Sequence, residues 1–510
     1  MKKIFILSFL TLLLASFCSI SNNNDKISEA TESVRGLITF HSSDSTLNKI
    51  FIWAKKQALD YAFMNDPVGL WYEAALPGRE AFCMRDVSHQ AMGAHFLGLD
   101  SYTKNMLYTM ANNVTDARDW CSLWEINRYG APALQDYLND DEFWYNLPAN
   151  FDILDCCFRM YRFSGDQDYV QDSVFLNFYK KTVYDYVDRW NLGIDKVMKR
   201  EHIMNIRPRN TRKFRWVRGI PGYDEGDGNY IASLDLLATE QAAFESYARL
   251  QQLGGDEEEA FKFYGKAEEV KNFINAICWD NQTKRYYSKI NKEHQLNSRN
   301  FDYSVLYWGN IVTDTIKLRS TIKALVDNLP TKTTGTSIEV LSHLPEILYK
   351  YEQTEKAYEM LRFIMENDRR EYPEASFSTI GAIVTGLMGI EMELYPQKES
   401  LVNGQYGEQA FITKSRLNGE TKWAEIDHVP VKGNIISVRH EGIKKTIFTN
   451  NLGPQIQWEA YFPGTHKNLL VNGKPVKANV KELLSNGEKV SWIRVSVGAG
   501  ERMTVQTLDQ

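Results

Sequence analysis

The chain has 510 residues, room for about three domains of ~150 residues, and carries 59 Lys+Arg against 65 Asp+Glu for a net charge of -6. That balance excludes a basic nucleic-acid-binding surface as its main feature, and 43% hydrophobic with 24% charged residues excludes a disordered chain. The unusual quantity is 13% aromatic residues, with 12 Trp, 27 Tyr and 25 Phe, more rings than a core of this size needs.

At the N-terminus, Lys2 and Lys3 precede an apolar run from Ile4 to Phe17 that is too short to span a bilayer. Ala15 and Ser16 lie just before Cys18, and a polar stretch follows. The pattern resembles a bacterial lipoprotein signal with Cys18 as the lipid anchor, although Phe17 stands where a small residue is usual. The alternative is a plain secretory signal; either implies export, to the periplasm or as an outer-membrane lipoprotein of a Gram-negative bacterium, with 1–18 as the signal and 19–43 as a linker.

From residue 44 to 395 the pattern is helical. Leu47–Met64, Ser88–Leu97, Ser101–Asn112, Phe151–Phe163, Ser173–Trp190, Ala232–Leu250, Glu258–Cys278, Leu344–Met365 and Phe377–Met392 place apolar residues three and four apart. The segments between them are long and rich in Trp, Tyr, Arg and Asp, as functional loops are. From 396 to 510 the period shortens to two. Ile435–His440, Lys445–Thr449, Ile456–Tyr461, Asn468–Val471 and Val490–Val497 alternate, with Asn472-Gly473 and Asn486-Gly487 as turns. The expectation is a mainly α domain followed by a small C-terminal antiparallel β-sandwich.

Six cysteines are too few for a disulfide scaffold. No CxxC, HExxH, GxGxxG or GxxxxGK[ST] occurs, so neither a structural zinc nor a cofactor is expected.

Four stretches can carry chemistry. Arg79, Arg85, Asp86 and His89 follow Trp71-Tyr72-Glu73 and reach a loop-to-helix boundary, where such groups can fork sugar hydroxyls or simply cap a helix. Trp120, Trp124, Glu125 and Trp144 through Asp152 combine rings that stack on sugars with polar groups that take their hydroxyls, though any one Trp can equally be core. Arg215 to Tyr230 includes Trp216, Tyr223, Asp224, Glu225 and Asp227 among glycines just before a helix. Burial among rings can keep one such carboxyl protonated, as glycosidic cleavage requires of its acid. Arg369 to Phe377 holds Glu374 at the start of a late helix, either as a second catalytic carboxylate or as a partner of the helix dipole. Arg207, Arg209, Arg212, Lys213, Arg215 and Arg218 precede the acidic loop and would attract an anionic sugar if folded over a cleft.

Helical pairs with acidic aromatic loops, then a β module, resemble the six-hairpin glycosidases. Ile277-Cys278-Trp279-Asp280 with Arg285-Tyr286-Tyr287 looks like the step between their helical pairs. Pro77-Gly78-Arg79 with Arg85-Asp86 looks like a shortened form of a trehalase stretch. The resemblance implies an (α/α)6 toroid over 44–395 and an exported, exo-acting enzyme class whose two carboxylates cleave a glycosidic bond with inversion. By position the acid falls on Glu225 or Asp227 and the base on Glu374, with a carbohydrate substrate bound by the other residues named above. It leaves trehalase-like, α-L-rhamnosidase-like, glucoamylase-like and uronidase-like membership open. A polysaccharide lyase working through His89 and Tyr223, and a non-catalytic glycan-binding protein, are the competing readings.

Overall fold

The computed structural model describes residues 35–201, 217–225, 230–297, 302–333, 336–394 and 409–508. The signal segment with Cys18, the stretch Arg207–Arg215 with Trp216, and Asp227 lie outside the described residues.

Helix boundaries follow capping chemistry. Ser233 accepts from the Leu236 N–H at 3.4 Å to open the Leu234–Gly254 helix, and Gly255 closes it at φ 88°. Asp256 accepts from the Glu259 N–H at 3.0 Å to open Glu257–Ile277, whose first turn carries three glutamates at the positive end of the dipole. The predicted Leu344–Met365 helix is two, Leu344–Lys350 and Thr354–Glu366. Lys350 and Tyr351 both donate to the Leu306 carbonyl, at 3.1 Å each, and Glu352 takes φ 61°, so the chain reverses there. The late helix begins at Pro373, and its continuation ends at Leu387, short of the predicted Met392.

The inner elements pack in a circuit. Met84–Phe96 touches Pro148–Ser164, which touches Leu234–Gly254, which touches Ser304–Tyr307. Leu344–Lys350 meets the last of these through Leu306 and then packs on Pro373–Gly381, which returns to Met84–Phe96. Outside them, Ser45–Asp60, Asp100–Asn112, Glu257–Ile277 and Thr354–Glu366 each cover an inner neighbour. Ser304–Tyr307 and Leu344–Lys350 are short, so two positions of this circuit lack the full helices that the resemblance implies. No helix among the described residues is long and apolar enough to cross a membrane.

The circuit is tightest where Met84–Phe96 crosses Pro373–Gly381. A Cβ on Gly93 would stand 2.0 Å from the Phe377 carbonyl oxygen, which is rigid backbone. Gly93→Ala is therefore expected to cost about 3 kcal/mol or more, at the upper end of overpacking. A urea denaturation midpoint equal to that of the wild type would contradict this packing.

The β domain has two sheets. The larger runs Thr39–Ser42, Trp423–Val431, Asn434–Glu441, Lys445–Leu452, Arg502–Thr507, Asn468–Val471, Lys474–Lys477 in spatial order. The smaller runs Glu391–Leu394, Gln409–Lys414, Ile456–Pro463, Lys489–Val497, Asn479–Glu482. Strict in-and-out burial along Asn434–Glu441 matches its period of two. Phe448 of one sheet stacks on Trp458 of the other at 4.9 Å.

The β domain differs from expectation in three ways. Gln409–Lys414 and Ile456–Pro463 pair in parallel, so the domain is not wholly antiparallel. Thr39–Ser42, expected within the linker, forms an edge strand against Trp423–Val431 and buries Phe40. Glu391–Leu394, expected at the end of the helical domain, joins the smaller sheet.

The β domain docks on the C-terminal ends of the inner helices. His95 Nε2 meets the Pro430 carbonyl and His440 Nε2 meets the Met388 carbonyl, each at 2.9 Å, while the Lys432 N–H donates to Phe163 O at 2.5 Å. Burial holds His440 near pKa 4, which keeps it neutral and able to make this bond. The opposite, N-terminal ends of the inner helices carry the candidate site.

Candidate active site

Four inner helices bring a carboxylate in or near their first turns: Asp86, Asp152, Asp235 and Glu374. Free N–H groups and the helix dipole favour anions there, which is why these acids tolerate burial. Asp235 accepts from the N–H groups of Tyr223 and Leu236, both at 2.7 Å. Asp152, fully buried, accepts from the Tyr223 hydroxyl at 2.8 Å and the Trp308 indole N–H at 3.1 Å. Both ends of Tyr223 are thus fixed, two residues before Glu225.

Glu374 is 1% exposed. Its Oε1 lies 3.1 Å from His89 Nδ1, 3.1 Å from His343 Nε2 and 3.4 Å from Ser342 Oγ. Burial alone would raise its pKa, but the two imidazoles hold it well below the usual carboxylate range. Burial likewise opposes a charge on His89, yet Asp152 and Glu374 outweigh it and bring the imidazole to about 9. Burial and the charge on His89 lower His343. Tyr307 sets its ring edge against both imidazoles at 5.4 Å. Glu374 Oε2 is buried with no hydrogen-bond partner among the described residues.

Arg85 lies beside this cluster. Its guanidinium lies 5.3 Å from the Tyr223 ring centre, and its Nε is 3.6 Å from Asp86 Oδ1. The negative charges of Asp86, Glu225 and Glu374 favour its cationic form against burial. Glu225 is half-buried; burial raises its carboxyl above the ordinary range, and Arg85 only partly offsets this. Burial, with the charge on Glu374, lifts Asp86 to about 7, and Tyr372 donates to its Oδ2 at 3.2 Å. Glu374 is thus held as the anion while Glu225 is pushed toward the acid form, the division of roles that acid–base cleavage needs.

A second cluster adjoins the first. Arg79 pairs with the buried Glu125 and reaches Asp136 at 3.5 Å. Burial and then Asp136 hold Glu125 well above its usual range. Asp136 raises and Arg79 lowers the pKa of Glu225, so this cluster adds to its electrostatic surround.

Arg85, Asp86, His89, Asp152, Tyr223, Glu225 and Glu374 therefore come together, with Arg79 and Glu125 beside them. Asp224 does not join them: it is exposed and pairs with Lys289. Trp124 is buried, with its ring edge-on to Tyr145 at 6.1 Å, and its carbonyl accepts from the Met84 N–H, so it supports a helix start. Trp71 is buried against Phe63 at 4.7 Å, and Trp144 is also buried, its indole N–H donating to Asn146. The excess of rings is in good part core. Trp216 and Asp227 lie outside the described residues.

Sequence reasoning missed His343, Tyr307, Trp308, Tyr372 and Asp136. Tyr372 lay inside the Glu374 stretch and Tyr307-Trp308-Gly309-Asn310 has the aromatic, polar texture of the other loops, so both carried a signal. His343 had none, since it abuts an ordinary amphipathic run. His89, His343 and Glu374 also present ligand atoms within 4.8 Å of one another, a grouping that can hold a metal ion. A cavity of about 370 Å³ is lined by Tyr307 and Trp308, by Arg159, Arg162 and Arg249, and by Glu245 and Glu346; Glu374 is not among its lining residues.

No protein-family model and no curated protein matches the chain. Solved structures do match in fold. An α-L-rhamnosidase from Dictyoglumus thermophilum superposes with a TM-score of 0.58 at 14% identity, over 92% of this chain and 50% of that one. A putative kojibiose phosphorylase from the human microbiome gives 0.54 at 9% identity, over 92% of this chain and 64% of that one. The α-L-rhamnosidase of Aspergillus terreus gives 0.52 at 12% identity, over 91% and 50%. The chain spans about half the length of these rhamnosidases. At such identities the likeness is one of fold alone.

Proposed function

We propose that the protein is an exported glycoside hydrolase that cleaves a terminal glycosidic bond of an oligo- or polysaccharide with inversion. Glu225 is the general acid and Glu374 the base that activates water. The observation that carries this reading is the pair of oppositely tuned carboxylates that both act on Arg85: Glu374 held ionised by two imidazoles, Glu225 held toward neutrality by burial. Asp86, His89, Asp152 and Tyr223 surround them and supply the polar frame of a sugar subsite. The names of the structural neighbours support a carbohydrate substrate.

Among the described residues both arginines of the site already face carboxylates, Arg79 with Glu125 and Arg85 with Asp86. A neutral sugar fits that balance better than a uronate, whose carboxylate would meet an acidic surround. Lyase chemistry is less well supported. The Tyr223 hydroxyl donates to Asp152, and burial keeps it protonated, so it is a poor base.

The test is a panel of aryl glycosides that includes rhamnosides, glucosides and glucuronides, with the product anomer read by proton NMR. Hydrolysis with an inverted anomeric centre is the expected outcome. An unsaturated product, or tight glycan binding without turnover across the panel, would overturn the assignment.

A further inference from the structure

We propose that His89 Nδ1, His343 Nε2 and Glu374 Oε1 together bind one divalent transition-metal ion of the zinc class. The inference goes beyond the hydrolase reading and does not need it, since it concerns what the cluster holds rather than which bond is cut.

The spacing is the first argument. Metal–nitrogen and metal–oxygen bonds of about 2.0–2.2 Å put neighbouring ligand atoms roughly 2.9 Å apart in an octahedral site and roughly 3.4 Å apart in a tetrahedral one. The two measured edges, His89 Nδ1 to Glu374 Oε1 and His343 Nε2 to Glu374 Oε1, are 3.1 Å each, between those limits. All three ligand atoms lie within 4.8 Å of one another. An ion over the face they define would take the place of the two direct contacts at Glu374 Oε1.

The surroundings are the second. A metal-bound imidazole characteristically offers its other ring nitrogen to a carboxylate, which fixes the ring. His89 Nε2 faces Asp152 Oδ2 at 3.5 Å, and Asp152 is itself held by Tyr223 and Trp308. The ligands come from three separate places: the Met84–Phe96 helix, the residue before Leu344–Lys350, and the first turn of Pro373–Gly381. They are therefore positioned by the packed helices and not by a flexible loop.

The third is the ligand set. Among the described residues Glu374 Oε2 has no hydrogen-bond partner, so it is not engaged elsewhere. With Oε1 as the ligand atom, Oε2 is free to accept a proton from water, so a ligand role and a base role coexist on one side chain. Two imidazoles and one carboxylate suit zinc, manganese or ferrous iron, whereas calcium and magnesium prefer all-oxygen sites.

The experiment uses the full chain, stripped with a chelator, dialysed, and titrated with zinc chloride by calorimetry. A parallel sample is loaded with cobalt(II) and read by visible absorption. One zinc per chain, and cobalt ligand-field bands that zinc displaces, are expected. His343→Ala should weaken zinc by more than about 100-fold, and Asp152→Asn by the roughly 10–100-fold that an outer partner costs. Circular dichroism checks the fold of each variant, and the wild-type titration needs no variant. No stoichiometric zinc uptake and no cobalt bands, or uptake unchanged in a folded His343→Ala, would overturn the proposal. Metal uptake without turnover on any glycoside would sink the hydrolase reading alone. Turnover by a chain that takes up no metal would sink this one alone.

Discussion

Glu374→Gln is expected to lower kcat on any accepted glycoside by about 10²–10⁴-fold while the protein stays folded. Glutamine keeps the shape and one acceptor oxygen, so His89 and His343 retain a partner at 3.1 Å. It removes the negative charge that a base must carry. The buried position makes the control essential, because the buried charge on His89 loses one of its two carboxylate partners and keeps only Asp152. Circular dichroism and a thermal melt must show a folded variant. Activity within about tenfold of the wild type in a folded Glu374→Gln would remove Glu374 from the mechanism.

Glu225→Gln should behave differently, because an acid is needed only when the leaving group is poor. We expect a loss of about 10²–10⁴-fold on natural glycosides and a much smaller loss on aryl glycosides whose phenol leaves without a proton. The pH profile gives the second readout. Burial raises the Glu225 carboxyl above its usual range, so the proton it must donate is present at low pH and is lost as pH rises through that elevated value. The wild type therefore loses activity on the alkaline side, and Glu225→Gln loses that limb. An equal loss on all leaving groups with the alkaline limb intact would pass the acid role to Asp227, the next carboxylate of the loop.

How far the site could be read in advance depended on how local its signals were. Arg85, Asp86 and His89 fall within one short run, Glu225 sits in a loop and Glu374 at a helix start, each in a stretch whose composition is unlike the helices around it. Those carboxylates and cations announce themselves because burying them needs a reason. His343 gave no such sign. It lies beside an amphipathic run, and only the packing of Leu344–Lys350 against Pro373–Gly381 brings its Nε2 to Glu374. The tryptophans misled in the other direction. Trp71 and Trp124 follow loop-like residues in sequence, yet both are buried and serve the core.

The fold divides in the same way. Periodicity is a local property, so the chain by itself determined the helical stretch, the change to alternating strands, and the carboxylates at helix starts. It could not show that Leu344–Met365 breaks at Tyr351, because the break is set by hydrogen bonds to Leu306, far away in the chain. Nor could it show Thr39–Ser42 completing a sheet with Trp423–Val431, since strand pairing across such a distance leaves no periodic trace. What only the tertiary structure decided is which buried charges face one another: Glu374 with two histidines, Asp86 with Arg85, Glu125 with Arg79, and Asp224 turned outward to Lys289. The residue type says that a carboxylate can titrate; the neighbours, fixed by long-range packing, decide whether it holds its proton.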